Sequence, residues 1–173
     1  MESRRLWAVR GGGALVALLL QIAVAPFISL GLTTPNFLVA WCVATAMADP
    51  SDPPYLTAFL LGIAFDITGG GPVGAMAFCL LVVTFAVTRV YMVVSNDTVF
   101  MTVAFAALAV FATELLYGII VAAVVPDISV GGALLYRSLP NSLYNFVVAL
   151  LLYPVAAFLH HRLVAQSAGM PVL

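Results

Sequence analysis

Charged residues are scarce in this sequence, and that scarcity excludes a water-soluble fold. Of the 173 residues, 8% are charged and 64% are hydrophobic, whereas an ordinary globular chain has about 25% and about 45–50%. So few charges cannot build a surface that faces water. The net charge of −1 also gives no reason to expect nucleic acid as a partner. Lipid must therefore be the solvent for most of the chain.

The sequence also lacks the residue patterns on which catalysis depends. It contains no Gly-x-Ser-x-Gly elbow, no His-Glu-x-x-His zinc motif and no Walker-type phosphate loop. Asp66 and Glu114 are the two carboxylates within apolar segments, and neither has an evident acid–base partner. Cys42 and Cys79 lie in apolar stretches, where small core residues are expected rather than metal ligands. We therefore expect no enzymatic activity, no metal and no cofactor.

The sequence does contain six apolar segments, separated by polar residues, proline or glycine. They cover Gly13–Leu32, Phe37–Ala48, Tyr55–Thr68, Val73–Val94, Val99–Val125 and Leu139–Leu159. Because a membrane helix needs about 20 apolar residues, they predict an all-α integral membrane protein. We expect one transmembrane domain over residues 1–173, a compact bundle of about six helices, with Pro26 kinking the first. The short second and third segments either cross obliquely or form a hairpin that does not fully cross.

The arginines predict the orientation of the chain. With six crossings, five of them fall on one side of the membrane: Arg4, Arg5, Arg10, Arg89 and Arg162. Arg137 alone falls on the other side. Since cytoplasmic loops carry the excess of arginine, both termini are expected in the cytoplasm. The first apolar run continues to Leu32, which favours a retained helix over a cleaved signal peptide.

Asp66 stands near the outer end of the third segment, just before a glycine-rich turn. Pro72 follows and suits the first turn of the next helix. A carboxylate beside that helix N-terminus gains about 0.3–1 kcal/mol from the exposed amides and the helix dipole. Two roles are open: Asp66 caps and orders the outer turn, or it contacts a ligand or partner directly.

Small and polar residues recur at four-residue spacing, which places them on one face of each helix. The sets are Ala40, Ala44 and Ala48; Ala58, Gly62 and Asp66; Glu114, Gly118 and Ala122; and Asn145 with Ala149. Small residues let membrane helices approach closely, and polar side chains then bond across the contact. These faces predict packing seams rather than a substrate channel.

Three stretches resemble a known family. The central one, Phe59–Ala77, reads FLLGIAFDITGGGPVGAMA, with glycine and aspartate four residues apart and then a glycine-rich turn with proline. Pro35–Leu38 and Arg137–Asn145 match the expected starts of the second and last helices. Together they resemble the rod shape-determining MreD family. The chain departs from that pattern at Gly69-Gly70-Gly71, where the family is expected to have a polar residue.

The resemblance implies a scaffold in the bacterial inner membrane that binds the single-span protein MreC. Through MreC it would connect to MreB filaments and to the peptidoglycan synthases of the lateral wall. The resemblance also implies a fold similar to the substrate-binding components of energy-coupling-factor transporters. The candidate structural or partner residues are Gly62, Asp66, Gly69, Gly70, Gly71, Pro72, Gly74, Glu114, Arg137, Pro140 and Asn145.

The transporter likeness supplies an alternative function. A vitamin-binding membrane component would also have six helices and cytoplasmic termini. Its outward pocket would be lined by polar residues, for which the chain offers Asp66, Thr68, Arg137 and Asn141. Such pockets combine several convergent polar groups with aromatic walls, and the outer loops of this chain have few of either. Membrane lipid is a partner under either function.

Overall fold

Six long helical segments make up the described part of the chain. The structure, a computed structural model, describes residues 2–31, 33–69, 71–94, 98–126 and 129–167. The helices are α1 (Glu2–Ala23), α2 (Phe37–Ala48), α3 (Tyr55–Gly69), α4 (Ala75–Val94), α5 (Val99–Val124), α6 (Val130–Ala133) and α7 (Leu139–Ser167). The single turn of α6 continues into α7 through a π-helical turn, Leu134–Ser138, so these three form one segment.

The start of α2 shows why the local sequence signals work well there. Asn36 is the N-cap, and its side-chain oxygen accepts hydrogen bonds from the amides of Leu38 and Val39, both at 3.1 Å. Asparagine is among the best N-cap residues because its oxygen satisfies amides that have no partner within the helix. Pro50 follows the other end, and the helix occupies the predicted span, Phe37–Ala48.

The first helix ends earlier than predicted. Its α-helical part stops at Ala23, and a 3₁₀ turn over Ala25–Ile28 replaces the expected kinked continuation to Leu32. Pro26 lies in the first turn of that 3₁₀ helix, where its missing amide hydrogen leaves no backbone bond unmade. Gly31, at φ +61°, then turns the chain back. Leu32 itself lies outside the described residues.

The last helical segment begins earlier than the predicted Leu139. Helical structure starts at Val130, where the Ser129 hydroxyl accepts a hydrogen bond from the Gly132 amide at 3.1 Å. The paired glycines after Val130 suggest a loop in sequence, but this cap and the packing of the following turn against α5 hold them in a helix. The π turn inserts one residue into the helical register immediately before α7.

Three helical segments are long and apolar enough to cross a membrane: Ala75–Val94, Val99–Val124 and Val130–Arg162. The 12 residues of α2 and the 15 of α3 extend about 18 Å and about 22 Å at 1.5 Å per residue, less than the roughly 30 Å of a bilayer core. Ten of the twelve residues of α2 are buried. The shortness of α2 follows from its central position, because a helix surrounded by protein need not match the bilayer.

The central position of α2 also corrects one sequence prediction. Ala40, Ala44 and Ala48 were expected to form one packing seam. Instead α2 contacts α1, α3, α4, α5 and α7. Its small residues therefore mark no particular seam, because every side of the helix meets protein.

Arg10 holds α1 against the loop between α2 and α3, at the end of the bundle where α1 begins. Its guanidinium donates to Asp49 Oδ2 and Asp52 Oδ2, both at 3.0 Å, and to the Asp52 carbonyl at 2.7 Å. His160 Nδ1 of α7 lies 3.8 Å from the same Asp49 oxygen. This network ties α1 to the loop between α2 and α3. The opposite end, where α3 ends and α4 begins, is called the Asp66 end below.

Candidate functional site

Asp66 caps α4, as one of its two predicted roles requires. Its carboxylate accepts hydrogen bonds from the Gly74 amide at 2.9 Å and from the Met76 amide at 3.1 Å. The side chain is buried, with the residue 1% exposed. The geometry satisfies two amides at the helix start that have no partner within the helix. It does not exclude the second role, contact with a partner, which stays a prediction.

Gly74 determines where α4 begins, and the helix starts two residues later than predicted. Its φ of +91° is a left-handed conformation that favours glycine and cannot belong to an α-helix. Pro72 therefore lies before the helix rather than in its first turn, and its carbonyl accepts from the Ala75 amide at 3.1 Å. The sequence prediction was wrong here because Pro72 was taken alone as the start signal.

The other glycines of the signature allow close contacts. A Cβ on Gly62 would overlap the backbone of Ala77, so α3 and α4 touch there through their main chains. A Cβ on Gly71 would overlap the Tyr117 hydroxyl. Gly69 ends α3 with only ordinary contacts to Phe65. Gly70 lies outside the described residues.

A buried hydrogen-bond chain joins α5, α7 and α2. Asn145 Nδ2 donates to Glu114 Oε1 at 2.7 Å, and Asn145 Oδ1 accepts from the Asn36 amide at 2.6 Å. All three residues are buried. Glu114 and Asn145, each predicted to lie on a packing face of its helix, are hydrogen-bonded to each other across the contact between α5 and α7. Asn36, the N-cap of α2, is therefore part of the same series of hydrogen bonds.

The π turn packs against the same part of α5. The Ser138 hydroxyl donates to the Glu114 carbonyl at 2.9 Å, and Gly118 leaves room for it. Arg137 is exposed, with its guanidinium carbon 5.7 Å from the ring centre of Tyr117. Pro140 is partly buried at the second position of α7, directly after the π turn.

Tyr117 connects the Asp66 cap to the Glu114 chain. Its ring packs edge-to-face on Phe65 of α3, with centroids 5.8 Å apart and planes at 85°. Its hydroxyl lies beside Gly71, and Arg137 covers its ring. The predicted residues at the Asp66 end thus form two hydrogen-bonded groups that share one aromatic side chain.

A polar cavity of about 250 Å³ lies between these two groups. Its lining comes from α1, α3, α5, α7, the π turn and the segment before α2: Gln21, Thr34, Asn36, Phe65, Gly69, Glu114, Tyr117, Arg137 and Asn141. A second cavity, of about 200 Å³, lies beside α5 and the π turn and shares Glu114, Tyr117 and Arg137 with the first. Of the four residues predicted to line an outward pocket, Arg137 and Asn141 line the larger cavity. Asp66 is used by the cap, and Thr68 is exposed and bonds the Ala64 carbonyl.

Sequence reasoning missed three residues of this site, two of which carried a signal. Gln21 is a polar residue inside an apolar run; it accepts from the Phe37 amide at 2.8 Å and donates to the Pro35 carbonyl at 3.2 Å. Asn36 stands directly before an apolar run, the usual N-cap position. No sequence signal marks Tyr117, because its role depends on the contact between α3, α5 and the π turn. Within the described residues, no group of three or more metal-ligating side chains occurs.

A family model described as rod shape-determining protein MreD matches residues 11–163. The chain belongs to the MreD family. The match includes all three stretches on which the resemblance was based. Comparison with curated proteins and with solved structures gives no significant match.

Family membership gives the chain a coarse function. Proteins of the MreD family are membrane proteins and structural components of rod shape determination. The long apolar helices of this chain agree with a place in the membrane. The fold likeness to energy-coupling-factor components stays a prediction, because no solved structure matches.

Proposed function

We propose that this MreD-family chain is a non-catalytic scaffold of the cell-elongation machinery in the bacterial inner membrane. In this proposal it binds a single-span MreC protein and, through it, supports MreB filaments and lateral peptidoglycan synthesis. The observation that carries the proposal is the family match over residues 11–163. The helices and their short connections occupy nearly all of the described chain. Little of it is therefore left outside the bundle to act on the wall directly.

The packing of the bundle suits a rigid scaffold. At Gly62, α3 and α4 meet backbone to backbone. Glu114, Asn145 and Asn36 join three helices through buried hydrogen bonds. Such contacts fix the relative positions of helices in lipid, where apolar surface alone gives them no reason to associate. A partner helix would therefore meet a surface of fixed shape.

An apolar groove between α1 and α7 is the place where we propose that the partner helix docks. It has a volume of about 280 Å³ and is lined almost entirely by apolar atoms, from Gly13, Val16, Ala17, Leu20, Trp41, Leu152, Val155 and Leu159. In lipid, helices associate through van der Waals fit and interhelical hydrogen bonds. A concave apolar site offers that fit to a side chain of a membrane helix, whereas a convex lipid-facing surface does not.

The test fills the groove without altering the core. Val16 lines the groove and is 56% exposed, and Leu15 beside it is 58% exposed but does not line the groove. We expect Val16→Trp to reduce co-purification of MreC from native membranes at least about tenfold, the equivalent of about 1.4 kcal/mol. Leu15→Trp is the matched control and should leave recovery unchanged. Equal recovery with both variants would rule out this groove as the docking site.

The wider proposal has its own decisive result. Pull-down of the wild-type chain should recover wall-elongation proteins, and its depletion should make a rod-shaped host round up. Recovery of an ATPase transport module instead would overturn the scaffold function. Equal recovery with Val16→Trp and Leu15→Trp would not overturn the scaffold function, because the partner would then bind another face.

The orientation is proposed from the arginines. Arg10, Arg89 and Arg162 belong to the ends of α1, α4 and α7 that lie opposite the Asp66 end. We propose that this opposite end faces the cytoplasm, as an excess of arginine favours. Reporter fusions after Asp127 and after Arg162 should give periplasmic and cytoplasmic signals respectively. The same signal from both fusions would contradict six crossings.

A further inference from the structure

The polar cavity at the Asp66 end is partly open, and the exposed residues Thr34, Gly69 and Arg137 contribute to its lining. Its volume of about 250 Å³ is large beside the roughly 30 Å³ that one water occupies in the liquid. Its lining is largely polar, whereas the groove between α1 and α7 is lined almost entirely by apolar atoms. The polar lining distinguishes this cavity from the other spaces in the bundle.

The lining carries one acidic side chain, Glu114, and one basic side chain, Arg137. Glu114 is 4% exposed and Arg137 is exposed. The ion pairs among the described residues involve Arg10 or His160 with aspartates, so Arg137 and Glu114 do not pair with each other. Ionisable groups kept within a membrane bundle are costly and mark functional sites. A ligand that neutralises both must bring a cation and an anion of its own.

Two buried side-chain atoms in the lining have no hydrogen-bond partner among the described residues. They are Asn36 Nδ2, a donor, and Asn141 Oδ1, an acceptor. The orientation of the Asn36 amide is fixed, because its oxygen caps α2, and the residue is 3% exposed. Buried polar atoms are nearly always paired. A ligand that pairs with both atoms offers an acceptor to Asn36 and an N–H or O–H donor to Asn141.

We propose that this cavity binds a small zwitterion in which a primary ammonium lies a few bonds from an anionic oxygen. The anionic oxygen faces Arg137 and Asn36 Nδ2, and the ammonium faces Glu114 and Asn141 Oδ1. Phosphoethanolamine has this chemistry, either as the headgroup of phosphatidylethanolamine or as a free molecule. A quaternary choline headgroup lacks the N–H donors, and a glycerol headgroup lacks the cation. This inference stands apart from partner docking, because the groove between α1 and α7 shares no lining residue with the cavity.

The experiment measures binding to the full chain in detergent, by thermal shift and native mass spectrometry. The probes are phosphatidylethanolamine, phosphatidylcholine, phosphatidylglycerol and soluble phosphoethanolamine. We expect phosphatidylethanolamine to stabilise the wild type at concentrations at least about tenfold lower than the other two lipids require. Competition by soluble phosphoethanolamine would identify a free zwitterion as sufficient, and its failure would identify the lipid as the source. Equal response to all three lipids, or to none, overturns the proposal.

Two variants test the residues. Arg137→Gln should weaken phosphatidylethanolamine binding about tenfold, since one charge-assisted contact is lost. Arg137→Lys should recover most of the affinity. Arg89→Gln is the control, because Arg89 is also an exposed arginine over an aromatic ring, that of Phe85, but lies far along α4 from the cavity. Unchanged binding by a folded Arg137→Gln protein would also overturn the proposal.

Discussion

Removing the Asp66 carboxylate is the most direct test of how the signature stretch holds its structure. In Asp66→Ala, the amides of Gly74 and Met76 lose their acceptor at a site that is 1% exposed. Loss of an N-cap side chain costs about 1 kcal/mol and up to about 2 kcal/mol. Loss of the charge beside the helix start adds about 0.3–1 kcal/mol. The free energy of unfolding should therefore fall by about 1.3–3 kcal/mol.

The Asp66→Asn variant separates hydrogen bonding from charge. An asparagine keeps one oxygen that can accept from Gly74 or Met76, and asparagine caps helices about as well as aspartate. It loses the interaction of the negative charge with the start of α4. We expect a loss of about 1 kcal/mol, smaller than that of the alanine variant.

The assay is reversible unfolding in mixed detergent micelles, read by the tryptophan signal and by circular dichroism. Thr68→Ala is the control, because Thr68 lies half a turn further along α3, is exposed and bonds only to its own helix. Its unfolding free energy should stay within about 0.5 kcal/mol of the wild type. Wild-type stability in both Asp66 variants would refute the capping account. Equal losses in both would assign the whole effect to charge.

Three further stability measurements follow from the fold. A double-mutant cycle between Asn145→Leu and Glu114→Leu should give a coupling energy of about 0.6–1.7 kcal/mol, the range of interhelical hydrogen bonds in membranes, and zero coupling would contradict the buried pair. Gly62→Ala should cost about 1–3 kcal/mol, because its methyl group meets the backbone of α4; Gly12→Ala, with nothing within 4 Å, should not destabilise. Arg10→Leu should cost about 2–4 kcal/mol, since the buried guanidinium is the partner of two aspartates, and a loss below about 0.5 kcal/mol would show that water replaces it.

The sequence predicted helix boundaries well where a boundary is set by neighbouring residues. The limits of α2 follow from Asn36 before it and Asp49-Pro50 after it, and they agree with the structure. The end of α1 and the start of α7 were wrong by several residues. There the chain continues as a 3₁₀ turn or a π turn, whose stability depends on packing against other helices rather than on local signals.

In the candidate site, too, contacts between residues close in sequence were predictable and contacts between distant residues were not. Asp66 and its amides lie eight to ten residues apart, so the cap was predictable from spacing. The bond between Asn36 and Asn145 joins residues 109 positions apart. No local pattern indicates such a pair, although each asparagine was noticeable as a polar residue beside or within an apolar run. The cavity was less predictable still, because its walls come from four helices and a connecting segment.

The central position of α2 has a consequence for how the protein is made. This twelve-residue helix is too short to span a bilayer alone, and α7 is the helix with which it makes its most extensive contact. During synthesis α2 leaves the ribosome well before α7. Until α7 is made, α2 is therefore in contact with lipid or with the insertion machinery instead of with α7. The amide of Asn36 has no acceptor until Asn145 arrives. Assembly is therefore completed only when α7 is inserted, and chains truncated before α7 should be unstable and degraded rather than accumulate as partial bundles.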